Sequence, residues 1–106
     1  MLAKVKLAKR ISTTVFDSEL LDLIAAAIAD IRHCGIEFEA TEVKTGGVVT
    51  DYTVTEPLIS RAIVTYCVMN FGSPEDYDRL KRSYDEQKAQ MANATGYTDW
   101  EVDNDV

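Results

Sequence analysis

Apolar positions are densest between Thr55 and Gly72, in the stretch T-E-P-L-I-S-R-A-I-V-T-Y-C-V-M-N-F-G. Leu58, Ile59, Ala62, Ile63, Tyr66, Cys67, Val68 and Met69 leave little polar surface beyond Ser60, Arg61, Thr65 and Asn70. A helix that is apolar around most of its circumference is buried on several sides, so this stretch is expected to be the central helix. Thr55 reads as its N-cap, Glu56 as first-turn negative charge, and Pro57 as a residue tolerated where amides lack an intrahelical partner. Gly72 reads as its left-handed stop, with Pro74 close behind.

The flanking patterns predict three more helices. Leu2, Val5 and Ala8 approximate helical spacing among N-terminal bases, enough for about two turns. So short a helix must dock on something, in this chain or a neighbouring one. Thr14 followed by Asp17 reads as an acidic capping box. It opens a helix from about Val15 to Cys34, with Gly35 as the stop. Phe16, Leu20, Leu23, Ile24, Ala27, Ile28 and Ile31 form one apolar face of that helix, while Ala25, Ala26 and Ala29 on the other side permit close approach. Ser73-Pro74-Glu75-Asp76 is a strong start signal for a last helix, reaching Met91 or Ala94. Its apolar residues Tyr77, Leu80, Tyr84 and Met91 make a narrow stripe, with Gln87 filling the intermediate seam position. Residues 36–54 carry β-branched and aromatic residues on both sides of Lys44-Thr45-Gly46-Gly47, which predicts a hairpin or a long loop. The fold class is therefore mainly all-α: three long helices and a short N-terminal one. One helical domain is expected over 1–96, followed by a flexible acidic tail over 97–106.

Composition narrows the function. The 106 residues suit one domain, and the apolar run Ile63–Met69 is far too short to span a bilayer, which needs roughly 20 residues. No signal peptide is read, so an intracellular protein is expected. Cys34 and Cys67 are expected to be reduced packing residues. The net charge of −7 argues against a chain held on nucleic acid by its own basic surface. That charge is polarised: residues 1–12 hold four bases and no acid, while 97–106 hold Asp99, Glu101, Asp103 and Asp105 and no base. No catalytic, cofactor-binding or metal-ligating constellation emerges. His33 and Cys34 are adjacent, and helical neighbours point about 100° apart rather than forming a nucleophile–base pair. His33 is better read as a favourable charge at a helix C-terminus. The last helix has four bases against five acids, with Asp78–Arg82 and Glu86–Arg82 or Glu86–Gln90 at pairing distance. That mixture disfavours a base-reading helix and with it a small regulatory, antitoxin-like protein. The chain reads as an interaction protein.

The order of motifs carries a resemblance. V-F-D-S-E-L-L-D-L-I-A-A-A-I-A-D-I at 15–31 is followed by Gly35-Ile36. P-L-I-x-R-A-I-x-x-Y at 57–66, N-F-G at 70–72 and Y-x-x-x-K at 84–88 then follow. In this order the chain resembles the small head–tail connector (adaptor) proteins of tailed bacteriophages. Pro57, Arg61, Tyr66, Asn70, Phe71 and Gly72 carry the most specific part. The resemblance implies a helical, non-enzymatic subunit, found in the host cytoplasm before assembly and then at the head–tail interface of the virion. It implies a homo-oligomeric ring, commonly dodecameric, docked under the portal protein. Such a ring extends the DNA channel without sequence-specific binding and presents a surface to a stopper or tail-completion protein. Another head- or tail-completion or stopper protein is the alternative within the same setting. Tyr77, Leu80, Tyr84, Tyr97 and Trp100 are the residues expected at the oligomer or portal interface.

Overall fold

A computed structural model of the chain describes residues 1–72 and 74–93. The helices are α1 (Leu2–Lys9), α2 (Asp17–His33), α3 (Pro57–Asn70) and α4 (Tyr77–Asn93). Between α2 and α3 lie two antiparallel strands, β1 (Thr41–Thr45) and β2 (Val48–Thr53). The architecture is mostly helical with a small two-stranded sheet. α1 has the expected length of about two turns, the other three helices are shorter than the expected spans, and α3, at 14 residues, is shorter than α2 and α4.

α3 is the centre of the bundle, packed against α1, α2 and α4. Ile59, Ala62, Ile63 and Cys67 on it are fully buried, and Ser60 and Met69 nearly so. α2 contributes Leu20, Ile24, Ala27, Ile28 and Ile31 to the same core, α1 only Val5, and α4 Tyr84 and Met91. The expected apolar face of α2 is thus the buried one, except that Leu23 is half-buried and Phe16 stays 39% exposed at its start.

The helix ends depart from the sequence expectations in chemistry more than in place. The N-cap of α3 is Glu56, not Thr55, and it makes no side-chain capping bond. Pro57 begins the helix, where its missing N–H is harmless. α2 is capped by Phe16 without a side-chain bond, so Thr14 and Asp17 form no capping box. Asp17 is instead paired with Lys6 of α1 at 2.8 Å, an interaction that ties two helices. Gly35 (φ 84°) and Gly72 (φ 71°) follow the ends of α2 and α3 as expected. Arg10 takes the same left-handed conformation at the end of α1 (φ 57°). There the Arg10 N–H donates to the Leu7 carbonyl and the Ile11 N–H to that of Lys6, the paired bonds of a Schellman motif.

Residues 41–53 settle as the hairpin. Gly46 (φ 61°) and Gly47 (φ 83°) both have positive φ, as a two-residue type I′ turn requires. Pairing runs from Thr41 opposite Thr53 to Thr45 opposite Val48, and slips between Val43 and Lys44, leaving Thr50 as the extra residue. The Thr50 hydroxyl fills this bulge by donating to the Val43 carbonyl at 3.3 Å.

Candidate functional site

Two polar clusters hold the elements together. In the first, the Tyr84 hydroxyl donates to Asp30 Oδ2 at 2.6 Å, and Lys88 Nζ lies 3.2 Å from the same oxygen. Lys88 also sits 4.5 Å above the Tyr84 ring, and Tyr66 meets that ring edge-on at 5.4 Å. α2, α3 and α4 are thereby locked at one point. Burial pushes the Asp30 carboxyl upward, but the Tyr84 hydroxyl and the Lys88 ammonium outweigh it, and the group is held below its ordinary value. Burial, and then the hydrogen bond to Asp30, pushes the Tyr84 phenol well above its ordinary range. The second cluster sits at the base of the hairpin. Asp51 Oδ1 accepts the Leu2 N–H at 2.9 Å and the Tyr52 N–H at 2.7 Å, with the Met1 nitrogen 3.3 Å away. Here too burial opposes ionisation, and the donors win.

Both clusters hold helices or the hairpin in place. Among the described residues, no three His, Cys, Asp or Glu side chains gather where they could hold a metal ion. Cys67 is buried, its thiol pushed by burial up to about 12, as expected of a packing residue. Cys34 departs from that expectation: it is exposed, because it caps the end of α2 beyond the core face. His33 is exposed in the last turn of α2. The surface pairs on α4 are also not the expected ones. Lys81 pairs with Asp85 at 3.0 Å and Arg79 with Asp76. Arg82 takes part in no ion pair among the described residues, and Lys88, drawn to Asp30, replaces it as the organising base.

The residues that carry the motif resemblance are mostly structural punctuation. Asn70 caps α3 by donating its side-chain amide to the Tyr66 carbonyl at 2.9 Å. Phe71 leaves the helix to meet Phe16 edge-on at 5.3 Å, with Lys9 Nζ 5.7 Å from its ring centroid. Pro57 and Arg61 are exposed on α3.

Of the residues expected at an interface, Tyr77 is exposed at the start of α4 and Leu80 half-buried beside the core. Tyr84 is only 2% exposed and its hydroxyl is committed to Asp30, so it props α4 and offers no surface. Tyr97 and Trp100, like the expected tail domain and the Ser73 cap, lie outside the described residues. The structure adds surface that sequence reasoning did not single out. Leu7 is 80% exposed, Val15 77% and Val48 66%. A groove of about 670 Å³ also runs between α2 and β1, floored by Ala25, Ile28 and Ala40. The alanines of α2 were the only signal for it.

A family model described as "Phage connector protein" matches residues 1–98. The chain belongs to this family, that of the phage head–tail connectors, and membership implies a structural subunit that assembles with other head and tail proteins in the virion. No curated protein and no solved structure matches the chain significantly. No helix among the described residues is long and apolar enough to cross a membrane.

Proposed function

We propose that the chain is an adaptor subunit that forms a ring beneath the portal, lengthens the DNA channel and offers the surface on which a stopper or tail-completion protein docks. The observation that carries this reading is the family match over nearly the whole chain. Two features of the molecule support it. Leu7, Val15 and Val48 are exposed and open to contact with a neighbouring subunit. The net charge of −7 suits a conduit, because DNA passing an acidic wall is not held by phosphate contacts. In this reading 1–96 is the helical domain, 97–106 an assembly segment, and Tyr77, Leu80, Tyr97 and Trp100 contact a neighbour or the portal. Tyr84 serves by fixing α4.

The test is to add purified protein to its cognate portal, or to tailless capsids, and to image them by electron microscopy. The reading expects ring-shaped density at one vertex. Saturating protein that adds no density to the cognate portal would sink it. Deletion of 97–106 is expected to leave helicity intact and to weaken that binding.

A further inference from the structure

α1 is bound to the bundle by one side only. Val5 is its single fully buried residue, while Ala3, Lys4, Leu7 and Ala8 stay exposed. The corner that follows it, where Lys9, Phe16 and Phe71 meet, is also partly open. This face is cationic as well as apolar. Of the four bases in residues 1–12, Lys6 alone has a carboxylate partner among the described residues, namely Asp17. Lys4 contacts the Ser60 hydroxyl at 3.3 Å, Lys9 the Phe71 ring, and Arg10 extends from its left-handed cap into solvent. The other end of the sequence has the matching chemistry. Asp99, Glu101, Asp103 and Asp105 fall at every second position, with Trp100 and Val102 between them and no base.

We propose that the C-terminal segment of one copy docks on the α1 face of a second copy, its acids on Lys4, Lys9 and Arg10 and its Trp100 on Leu7 and the Phe16–Phe71 corner. Charge complementarity selects the segment, since no other ten-residue stretch of the chain combines four acids, no base and a large aromatic. The ring proposed above selects the second copy, because its neighbouring subunits must meet through two different faces. A contact between two different faces of identical subunits is heterologous, and repeating it closes a ring when the rotation between neighbours divides a full turn and builds a filament when it does not. The choice of a second copy rests on the connector reading; the charge match between the two segments does not.

Trp100 is the only tryptophan, so its emission reports its own burial in the full-length chain. The expected result is a blue shift that grows with protein concentration, together with growth in mass by sedimentation. The Lys4→Glu/Arg10→Glu chain, at exposed positions, is expected to keep its circular dichroism and to need at least about tenfold more protein for the same shift. Its tail is intact, so mixing it with a Trp100→Ala chain, which is dark but has an intact α1 face, is expected to restore the shift. Three outcomes overturn the proposal: no shift up to about 1 mM, a shift independent of concentration (the segment lies on its own chain), or a mixture that stays unshifted. A chain that complements in trans but adds no density to portals defeats the connector function alone. Portal binding without complementation defeats this contact alone.

Discussion

The helical bundle and the hairpin use the same chain in opposite ways. Ile24, Ile31, Ile59 and Ile63 of the bundle are fully buried, and its Asp30–Tyr84–Lys88 cluster joins three helices from inside. In the hairpin, all five residues of β1 are exposed, and β2 is only partly covered. What holds the hairpin is its root. Asp51 bonds the start of α1, Val54 enters the core, and Arg32 at the end of α2 stacks on Phe38 at 5.0 Å and donates to its carbonyl. A lone two-stranded hairpin is marginal in water. The bundle therefore carries the stability of the subunit, and the hairpin is an arm anchored at one end. Local opening is expected to be cheap there and costly in α3.

The two regions are expected to differ most when a charge is placed in each. Ile63→Asp buries an unpaired carboxylate at a fully buried position and is expected to cost more than about 4 kcal/mol, unfolding the subunit as read by circular dichroism. Val48→Asp, at a side chain 66% exposed, is expected to stay within about 0.5 kcal/mol of the parent in a urea titration. Equal losses from the two would mean that the hairpin is part of the core.

Next in size are the two carboxylates. Asp30→Asn is expected to lower global stability by about 1–2 kcal/mol, the range of a charge-assisted hydrogen bond discounted for partial exposure. Asp51→Ala is expected to cost about 1 kcal/mol or less globally while speeding hydrogen exchange in 41–53. Both carboxyls have folded values held below the ordinary 3.8. Their contribution is therefore complete above about pH 4 and is lost as pH falls through the lowered values. Acid titration below pH ~4 is expected to destabilise the parent more steeply than either variant. A parent and an Asp30→Asn chain with superimposable acid transitions would show that the cluster adds nothing.

How much of this was legible in the sequence follows from the range of each interaction. The central position of α3 and the buried face of α2 were readable, because apolar periodicity is local and burial follows it. The Gly46-Gly47 turn was readable for the same reason. The caps were misread: Thr55, and Thr14 with Asp17, had the right residue types, but tertiary contacts recruited Asp17 to Lys6. Tyr84 looked like one more stripe residue. Its role depends on Asp30, 54 positions away, and no local pattern reports such a pair. The exposed Leu7 and Val15 escaped notice because periodicity tells which residues share a helix face, not which face the bundle leaves uncovered.

The smallest effect compares the turns of the two regions. The hairpin places glycine at both of its positive-φ positions, whereas the bundle ends α1 with Arg10 at φ 57°. An L-residue in that conformation costs roughly 1–2 kcal/mol, and glycine returns part of this while adding entropy to the unfolded chain. Arg10→Gly is therefore expected to stabilise the bundle by about 0.5–1 kcal/mol in a denaturant titration. Gly47→Ala meets no atom within 4 Å, so its expected loss of about 1 kcal/mol is conformational alone and confined to the arm. Because Arg10 also belongs to the cationic face of α1, Arg10→Gly is expected to gain fold stability and lose self-association together. A variant that gained both would show that Arg10 is kept for neither the turn nor the contact. One that lost stability would mean that the long side chain of Arg10 packs on the bundle strongly enough to outweigh the strain of its backbone.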